Sequence, residues 1–334
     1  MSGRVLLLTH TQDELHTPPV LRHLNAMGQY PYRLNVDELA SGDAAISFSA
    51  ATAEPCRFTF HNKAFGVVSS DDVQSIWYRR PNTFNYHLKD KAQSSYAALE
   101  LESFLEGLWL TISDRIWLNN PKAINHARRK TYQMEIARRV GFLVPATIIT
   151  NVPDEARAFV RSCRNGAITK AIYNEIVETG SRQYTLSTTR VGEDQLGNLH
   201  LIRRLPAFFQ EFIRKRFEVR LTVVGTSVFA MKIELDLPDN ADHADWRPRP
   251  ELYPKQQFSV FEPSGALKDK CLRMMNILDL SFGAFDFVCG RDSDALYFLE
   301  LNPNGEWYGV EQETGLPISR AIAEFLATNL EERR

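Results

Sequence analysis

The chain has 334 residues, 44% of them hydrophobic, which is enough to bury a large core divided over two or three lobes. Its formal net charge of -2 argues against nucleic acid as a partner, because such binding usually leaves a basic footprint. Membrane spanning is excluded as well, since no apolar run reaches the required length, and the N-terminus lacks the basic-then-apolar form of a signal peptide.

In chain order, Val5-Leu6-Leu7-Leu8-Thr9-His10 reads as a hydrophobic strand, followed by a helix through Val20 to Met27 that Gly28 closes. Tyr32 to Asp37 reads as a second parallel strand, giving a βαβ start. Ser75-Ile76-Trp77-Tyr78-Arg79-Arg80-Pro81 is a further strand, leading into a long helical stretch from about Lys91 to Ser113. A pair of arginines ending an interior strand sits at the carboxyl edge of the sheet, where open α/β sheets bind ligands. Arg79 and Arg80 are therefore candidates to face a substrate. Trp117-Leu118-Asn119-Asn120-Pro121 follows, then a helical stretch carrying Arg128-Arg129-Lys130 and stopped by Gly141.

Gly166 to Lys170 reads as a buried strand, and a lysine at its end is costly unless its ammonium meets an anion. The polar segment from Tyr184 to Leu199 reads as a β-hairpin with a Gly-Asn turn. Phe208-Phe209-Gln210-Glu211-Phe212-Ile213 is an apolar strand bearing a Gln-Glu pair. In Phe217 to Gly225, Glu218 and Arg220 share one strand face, and Lys232 lies in the strand Phe229 to Ile233. Residues 236–262 lose all periodicity; a proline- and aspartate-rich loop this long is usually functional or mobile.

The last third carries a hairpin signal. Phe285-Asp286-Phe287-Val288 and Leu296 to Pro303 are apolar runs separated by a Gly/Arg/Asp/Ser turn. Glu300 and Asn302 point to one face, and an inward Asp286 from the neighbouring strand completes three hard oxygen ligands of the kind that suits Mg²⁺. The bland alternative is a solvated sheet face with a turn-capping Asn. The four cysteines (Cys56, Cys163, Cys271, Cys289) are scattered without a CxxC pair, which reads as free thiols in a reducing cytoplasm.

The ordered series Lys130, Lys170, Gln210-Glu211, Glu218-x-Arg220, Asp286, Glu300-x-Asn302 resembles the ATP-grasp superfamily of carboxylate–amine ligases over about residues 118–325. The resemblance implies an α/β fold with two lobes clamping ATP behind an N-terminal βαβ pre-ATP-grasp domain. The expected units are residues 1–117, a central lobe at 118–207, and a C-terminal lobe with the metal site at 208–334. It implies that Lys130 and Lys170 contact phosphates and that Gln210, Glu211, Phe212 and Ile213 form the hinge reading the adenine edge. Glu218 would take the ribose, Asp286, Glu300 and Asn302 would hold two Mg²⁺ ions, Arg220 would stabilise the moving charge, and Lys232 would add a phosphate contact.

Shorter motifs narrow the resemblance. Trp77-Tyr78-Arg79-Arg80-Pro81, Trp117-x-Asn119-x-Pro121 and Asn302-Pro303-Asn304-Gly305-Glu306-Trp307 look like the ATP-grasp ribosomal peptide maturases, the microviridin-type graspetide macrocyclases. Asp245-Trp246-Arg247 resembles a motif at the same place in those enzymes, making Arg247 a candidate to hold a substrate carboxylate by a bidentate contact. The implied partner is a ribosomal precursor peptide with a leader, with neither nucleic acid nor membrane involved and a homodimer left open. The implied reaction phosphorylates an Asp or Glu side chain from ATP, and a Thr/Ser hydroxyl or Lys amine then closes an ω-ester or ω-amide ring. The alternative is an ATP-grasp ligase acting on a small amino acid or a protein tail. A pseudoenzyme ranks last, because it should have lost a metal ligand. No Ser/His/Asp or Cys/His signature for covalent catalysis is present, and no base is singled out.

Overall fold

The computed structural model describes residues 4–81, 90–173, 176–179, 182–235, 252, 254 and 256–328. The N-terminal part is a parallel sheet of order β2-β1-β6-β7, built from β1 (Arg4–Thr9), β2 (Tyr32–Asn35), β6 (Val73–Tyr78) and β7 (Ile116–Leu118). Helix α1 (Thr17–Ala26) makes the first crossover. Prolines fix φ in its first turn, and Gly28 at φ 74 accepts the left-handed exit that a side chain would resist. A short α2 (Glu38–Ser41) leads to an antiparallel sheet of β3 (Ala44–Ala51), β4 (Glu54–Asn62) and β5 (Gly66–Ser69), which the sequence reading did not anticipate. Helix α3 (Lys91–Thr111) buries Leu105, Leu108 and Trp109 against the parallel sheet.

The central part follows α4 (Pro121–Ala127) and α5 (Lys130–Arg139). It comprises β8 (Thr147–Thr150), α6 (Pro153–Ser162), β9 (Ala167–Lys170), the hairpin β10 (Ile176–Thr179) and β11 (Arg182–Thr185), β12 (Thr189–Arg190), α7 (Glu193–Gly197) and β13 (Ala207–Glu211). Four of these strands form an antiparallel sheet of order β12-β9-β13-β8. The hairpin expected over 184–199 is not formed. Glu193 and Asp194 favour the positive end of a helix, and the Gln195 side chain accepts the Gly192 N–H at 2.9 Å, so the segment turns into α7.

The C-terminal part holds β14 (Lys215–Val224), β15 (Ser227–Leu235), β16 (Gln256–Val260), α8 (Gly265–Ile277), β17 (Phe282–Gly290), β18 (Leu296–Asn302), α9 (Tyr308–Thr314) and α10 (Ile318–Ala327). Its five strands run antiparallel in the order β16-β15-β14-β17-β18. The edges expected at 117/118 and 207/208 fall inside β7 and at the start of β13.

Alternation along β17 explains what this sheet carries. Phe285 and Phe287 pack with Phe142 and Phe298 in the core that α5 and α8 cover, leaving Asp286 on the opposite face. The register shifts between Asp286 and Phe287, so Leu299 is an extra residue in β18. That bulge lets both Phe298 and Leu301 enter the core while Glu300 stands directly opposite Asp286. A second core joins the C-terminal sheet to the parallel sheet through α1 and α10, with Leu24, Ile322 and Leu326 fully buried. Among the described residues no helix is long and apolar enough to cross a membrane, and the four cysteines are unbridged.

Candidate active site

A cavity of about 490 Å³ opens between the central and C-terminal sheets, a size that suits a small-molecule ligand. Ile168, Phe212, Met231, Ile233 and Phe258 make one wall apolar, whereas Lys170, Arg220, Asp286 and Glu300 line the charged end. Strand alternation delivers both kinds of residue. Glu218 pairs with Ile233 and Arg220 with Met231 across β14 and β15, so these four share the cavity face.

The charged end is a lattice of pairs. Arg220 donates from Nη1 to both carboxylate oxygens of Asp286, at 2.7 and 2.8 Å, and from Nη2 to the Glu306 carbonyl at 3.0 Å. Lys130, the first residue of α5, and Lys170, the last of β9, approach the same oxygen of Glu300 at 3.2 and 3.8 Å. Lys170 also lies over the Phe208 ring, 5.0 Å from its centroid. Glu218 is ion-paired with Lys215. Asn302 accepts the Asn304 N–H at 3.0 Å, the turn-capping contact of the bland reading, on a carbonyl oxygen with a second lone pair.

Among the described residues no three His, Cys, Asp or Glu side chains form a metal cage. The donor set is instead two carboxylates and one amide oxygen, which fits Mg²⁺, an ion that keeps water and phosphate in its remaining positions. The cations that now neutralise Asp286 and Glu300 occupy the electrostatic role such an ion could take over.

The hinge is part buried and part committed. Gln210 is only 3% exposed and donates to Thr147 Oγ1 at 2.9 Å. The Glu211 N–H bonds the Ala146 carbonyl and the Phe212 N–H the Gly166 carbonyl, so both donors are committed within the protein. Lys232 is a correction. Met231 and Ile233 line the cavity, so the residue between them faces the other side of the sheet, where its Nζ pairs with Glu234 at 2.8 Å and lies 4.7 Å from the Phe217 ring centroid. Because an exposed pair of this kind contributes at most about 1 kcal/mol, Lys232→Ala should keep turnover within about threefold of wild type. A steady-state assay showing a hundredfold loss would restore it to the site.

Arg79 and Arg80 end β6 at the carboxyl edge of the parallel sheet, as expected. Arg80 donates to the Asn304 carbonyl and to Glu306 Oε1, each at 2.9 Å. Arg79 is buried, with Nε 3.8 Å from Asp13 Oδ2, and its Nε and Nη1 find no hydrogen-bond partner among the described residues. Burial pushes its pKa down to about 10, the neighbouring Arg80 adds to this, and Asp13 and Glu306 only partly offset it. Its guanidinium is thus buried with only partial charge compensation, a costly arrangement for an ion. Asp245, Trp246 and Arg247 lie outside the described residues.

Several contributors have no role assigned from the sequence: Gln133 is not singled out, and Asn119 and Gly305 enter only as motif positions. Gln133, 4% exposed, grips β18 beside Glu300: Nε2 donates to the Leu301 carbonyl at 2.7 Å and Oε1 accepts the Leu301 N–H at 2.9 Å. Asn119 holds the other end, donating to the Phe282 and Pro303 carbonyls and accepting the Ser281 and Phe282 N–H groups. Gly305 is fixed by space, because a Cβ there would stand 2.7 Å from Ala284 Cβ and 2.9 Å from Arg220 Nη2. Gln133→Leu should lower stability by about 1–3 kcal/mol or more, since it strands a buried N–H and C=O. The urea midpoint reads this out, and an unchanged midpoint would contradict it.

The profile of the MvdD pre-ATP-grasp domain family matches residues 4–125. Three solved structures match nearly the whole chain. The macrocyclase MdnC of Microcystis aeruginosa MRC, bound to its precursor peptide MdnA, is 26% identical over 96% of this chain and 98% of that one, with a TM-score of 0.84. A RiPP-associated ATP-grasp ligase of Chryseobacterium gregarium, in complex with ADP and a leader and core peptide, is 28% identical over 97% and 96%, with a TM-score of 0.87. The macrocyclase MdnB of Microcystis aeruginosa MRC is 28% identical over 97% and 99%, with a TM-score of 0.80. No curated protein sequence matches the chain.

Proposed function

We propose, on the premise that this chain is an ATP-grasp ligase with an MvdD-type pre-ATP-grasp domain, that it closes ω-ester or ω-amide rings within a ribosomal precursor peptide. The observation that carries the reading is the pairing of both acidic ligand candidates with cations at one end of an apolar slot. An adenine fits the slot beside Ile213, with its ribose on Glu218 and its phosphates on Lys130 and Lys170. Asp286, Glu300 and Asn302 would hold two Mg²⁺ ions, which neutralise phosphate charge and align the γ-phosphoryl group.

Arg220 then exchanges Asp286 for the transferring phosphoryl group, placing a fixed bidentate cation where charge develops. An Asp or Glu side chain of the peptide attacks the γ-phosphorus, and ADP leaves. The product is an acyl phosphate, whose phosphate leaves far more readily than the oxide of a free carboxylate. A Thr/Ser hydroxyl or Lys amine of the same peptide attacks the acyl carbon and expels phosphate. Arg79 is the candidate to hold a peptide carboxylate, with Arg247 as a second. Binding energy from the leader, remote from the chemistry, positions the reacting groups.

Mass spectrometry of the precursor peptide after incubation with enzyme, ATP and Mg²⁺ tests the reading. The expected result is loss of one water per ring, with ADP as co-product. Joining of free glutamate to an acceptor, with no dehydrated peptide, would replace it with the small-amino-acid ligase.

A further inference from the structure

Ring closure needs a group to take the proton of the attacking hydroxyl, and most acids around the cavity are already committed. Asp286 and Glu300 are bound to Arg220, Lys130 and Lys170, and Glu218 to Lys215. Glu306 is raised by burial but held lower overall by Arg80, His16 and Arg79, which leaves it a weak base. Glu211 and Glu313 also border the cavity, the first half-buried and the second exposed to water.

His16 differs from all of them. It sits at the start of α1, at the carboxyl end of β1, and lines the same cavity as Arg220 and Glu300. The residue is 5% exposed, and its Nε2 has no hydrogen-bond partner among the described residues. The ring meets Trp307 edge-on at 5.4 Å and Tyr308 at 6.3 Å. Trp307 directly follows Glu306, whose carbonyl accepts the Arg220 N–H. The imidazole is also close enough to Glu306 to lower that carboxyl electrostatically.

On its other side Nδ1 lies 3.7 Å from Asp13 Oδ1. Burial raises the Asp13 carboxyl, but His16, Arg79 and the Thr9 hydroxyl outweigh it and keep the group below its ordinary range, hence anionic. A buried carboxylate beside an imidazole orients the ring and stabilises the cation that forms when the ring takes a proton.

We propose that His16 is the general base of the ring-closing step, with Asp13 as its positioning residue. This rests on the peptide-cyclising reading above. The His16 Nε2 lone pair takes the proton of the Thr or Ser hydroxyl as its oxygen bonds to the acyl-phosphate carbon. The C–O bond to phosphate breaks, its electron pair leaves on inorganic phosphate, and the imidazolium returns its proton to solvent. The first step, phosphoryl transfer to the peptide carboxylate, needs no base and is independent of His16.

That division supplies the test. Hydroxylamine captures an acyl phosphate without assistance, so hydroxamate formation reports the first step and dehydrated peptide reports the second. With precursor peptide, ATP and Mg²⁺, His16→Gln should form hydroxamate at the wild-type rate and lose ring closure by about a hundredfold or more, the range for a general base. Asp13→Asn should lose less of the second step than His16→Gln does. Ring closure by His16→Gln within about threefold of wild type overturns the proposal. So does parallel loss of both steps in His16→Gln and in His16→Asn, which would make the ring a structural element. Wild-type enzyme that yields no dehydrated peptide would instead defeat the cyclase reading itself.

Discussion

Glu300→Gln should reduce ATP-dependent turnover by on the order of 10³-fold, because a bound metal contributes several kcal/mol to a transferring phosphoryl group. The substitution keeps the shape and one acceptor oxygen, exchanges the other for an NH2 donor, and removes the charge. Lys130 and Lys170 both approach Glu300 Oε2, so two partly buried ammonium groups lose their shared anion as well. Affinity for ATP in the absence of Mg²⁺ should therefore hold or rise, since those cations turn to the phosphates. Calorimetry with a non-hydrolysable analogue, run with and without Mg²⁺, separates the two effects. Full turnover at modest Mg²⁺ would remove Glu300 from the metal site.

Arg220→Lys should be almost as damaging as Arg220→Ala, with losses of roughly 10²–10³-fold in kcat. The guanidinium spans the Asp286 carboxylate and the Glu306 carbonyl at once, a forked geometry that a single ammonium cannot reproduce. If Arg220 acts on charge that develops as phosphate moves, as proposed above, the loss should fall on kcat, with KM for ATP little changed. A Lys variant with near wild-type kcat would show that a point charge suffices and that the fork only shapes the ligand-free site.

The parts of this protein most legible in its sequence are those governed by short-range rules. Strand alternation placed Glu218 with Arg220, which both line the cavity, and Glu300 with Asn302, which flank the core residue Leu301. The same rule, applied across Met231-Lys232-Ile233, would have turned Lys232 away from the cavity, because apolar neighbours at i±1 own the opposite face. The bulge at Leu299 was less accessible, since it arises from fitting Phe298 and Leu301 into one core while Glu300 meets Asp286. Gln133, and the role of Asn119 that the sequence offers only as a motif position, were hidden for a related reason. Each bonds backbone more than 160 residues away, and no local pattern encodes a partner at that separation. The small sheet β3–β5 was legible by the same rule, since Ile46-x-Phe48 and Phe58-x-Phe60 alternate at strand spacing and Phe58, Phe60 and Val68 are buried, but the sequence reading did not apply it there. Asp13 and His16 are a local i,i+3 pair, but only the fold brings them to Arg79 and the cavity.

Isotope transfer tests the central claim most directly. A precursor peptide whose acidic side chains carry oxygen-18 in both carboxylate positions is incubated with enzyme, ATP and Mg²⁺, and the phosphate released is weighed. An acyl phosphate requires one labelled oxygen to leave with each phosphate as each ring closes, in step with ADP. Unlabelled phosphate alongside dehydrated peptide, or AMP and pyrophosphate in place of ADP, would contradict activation by phosphoryl transfer at this site.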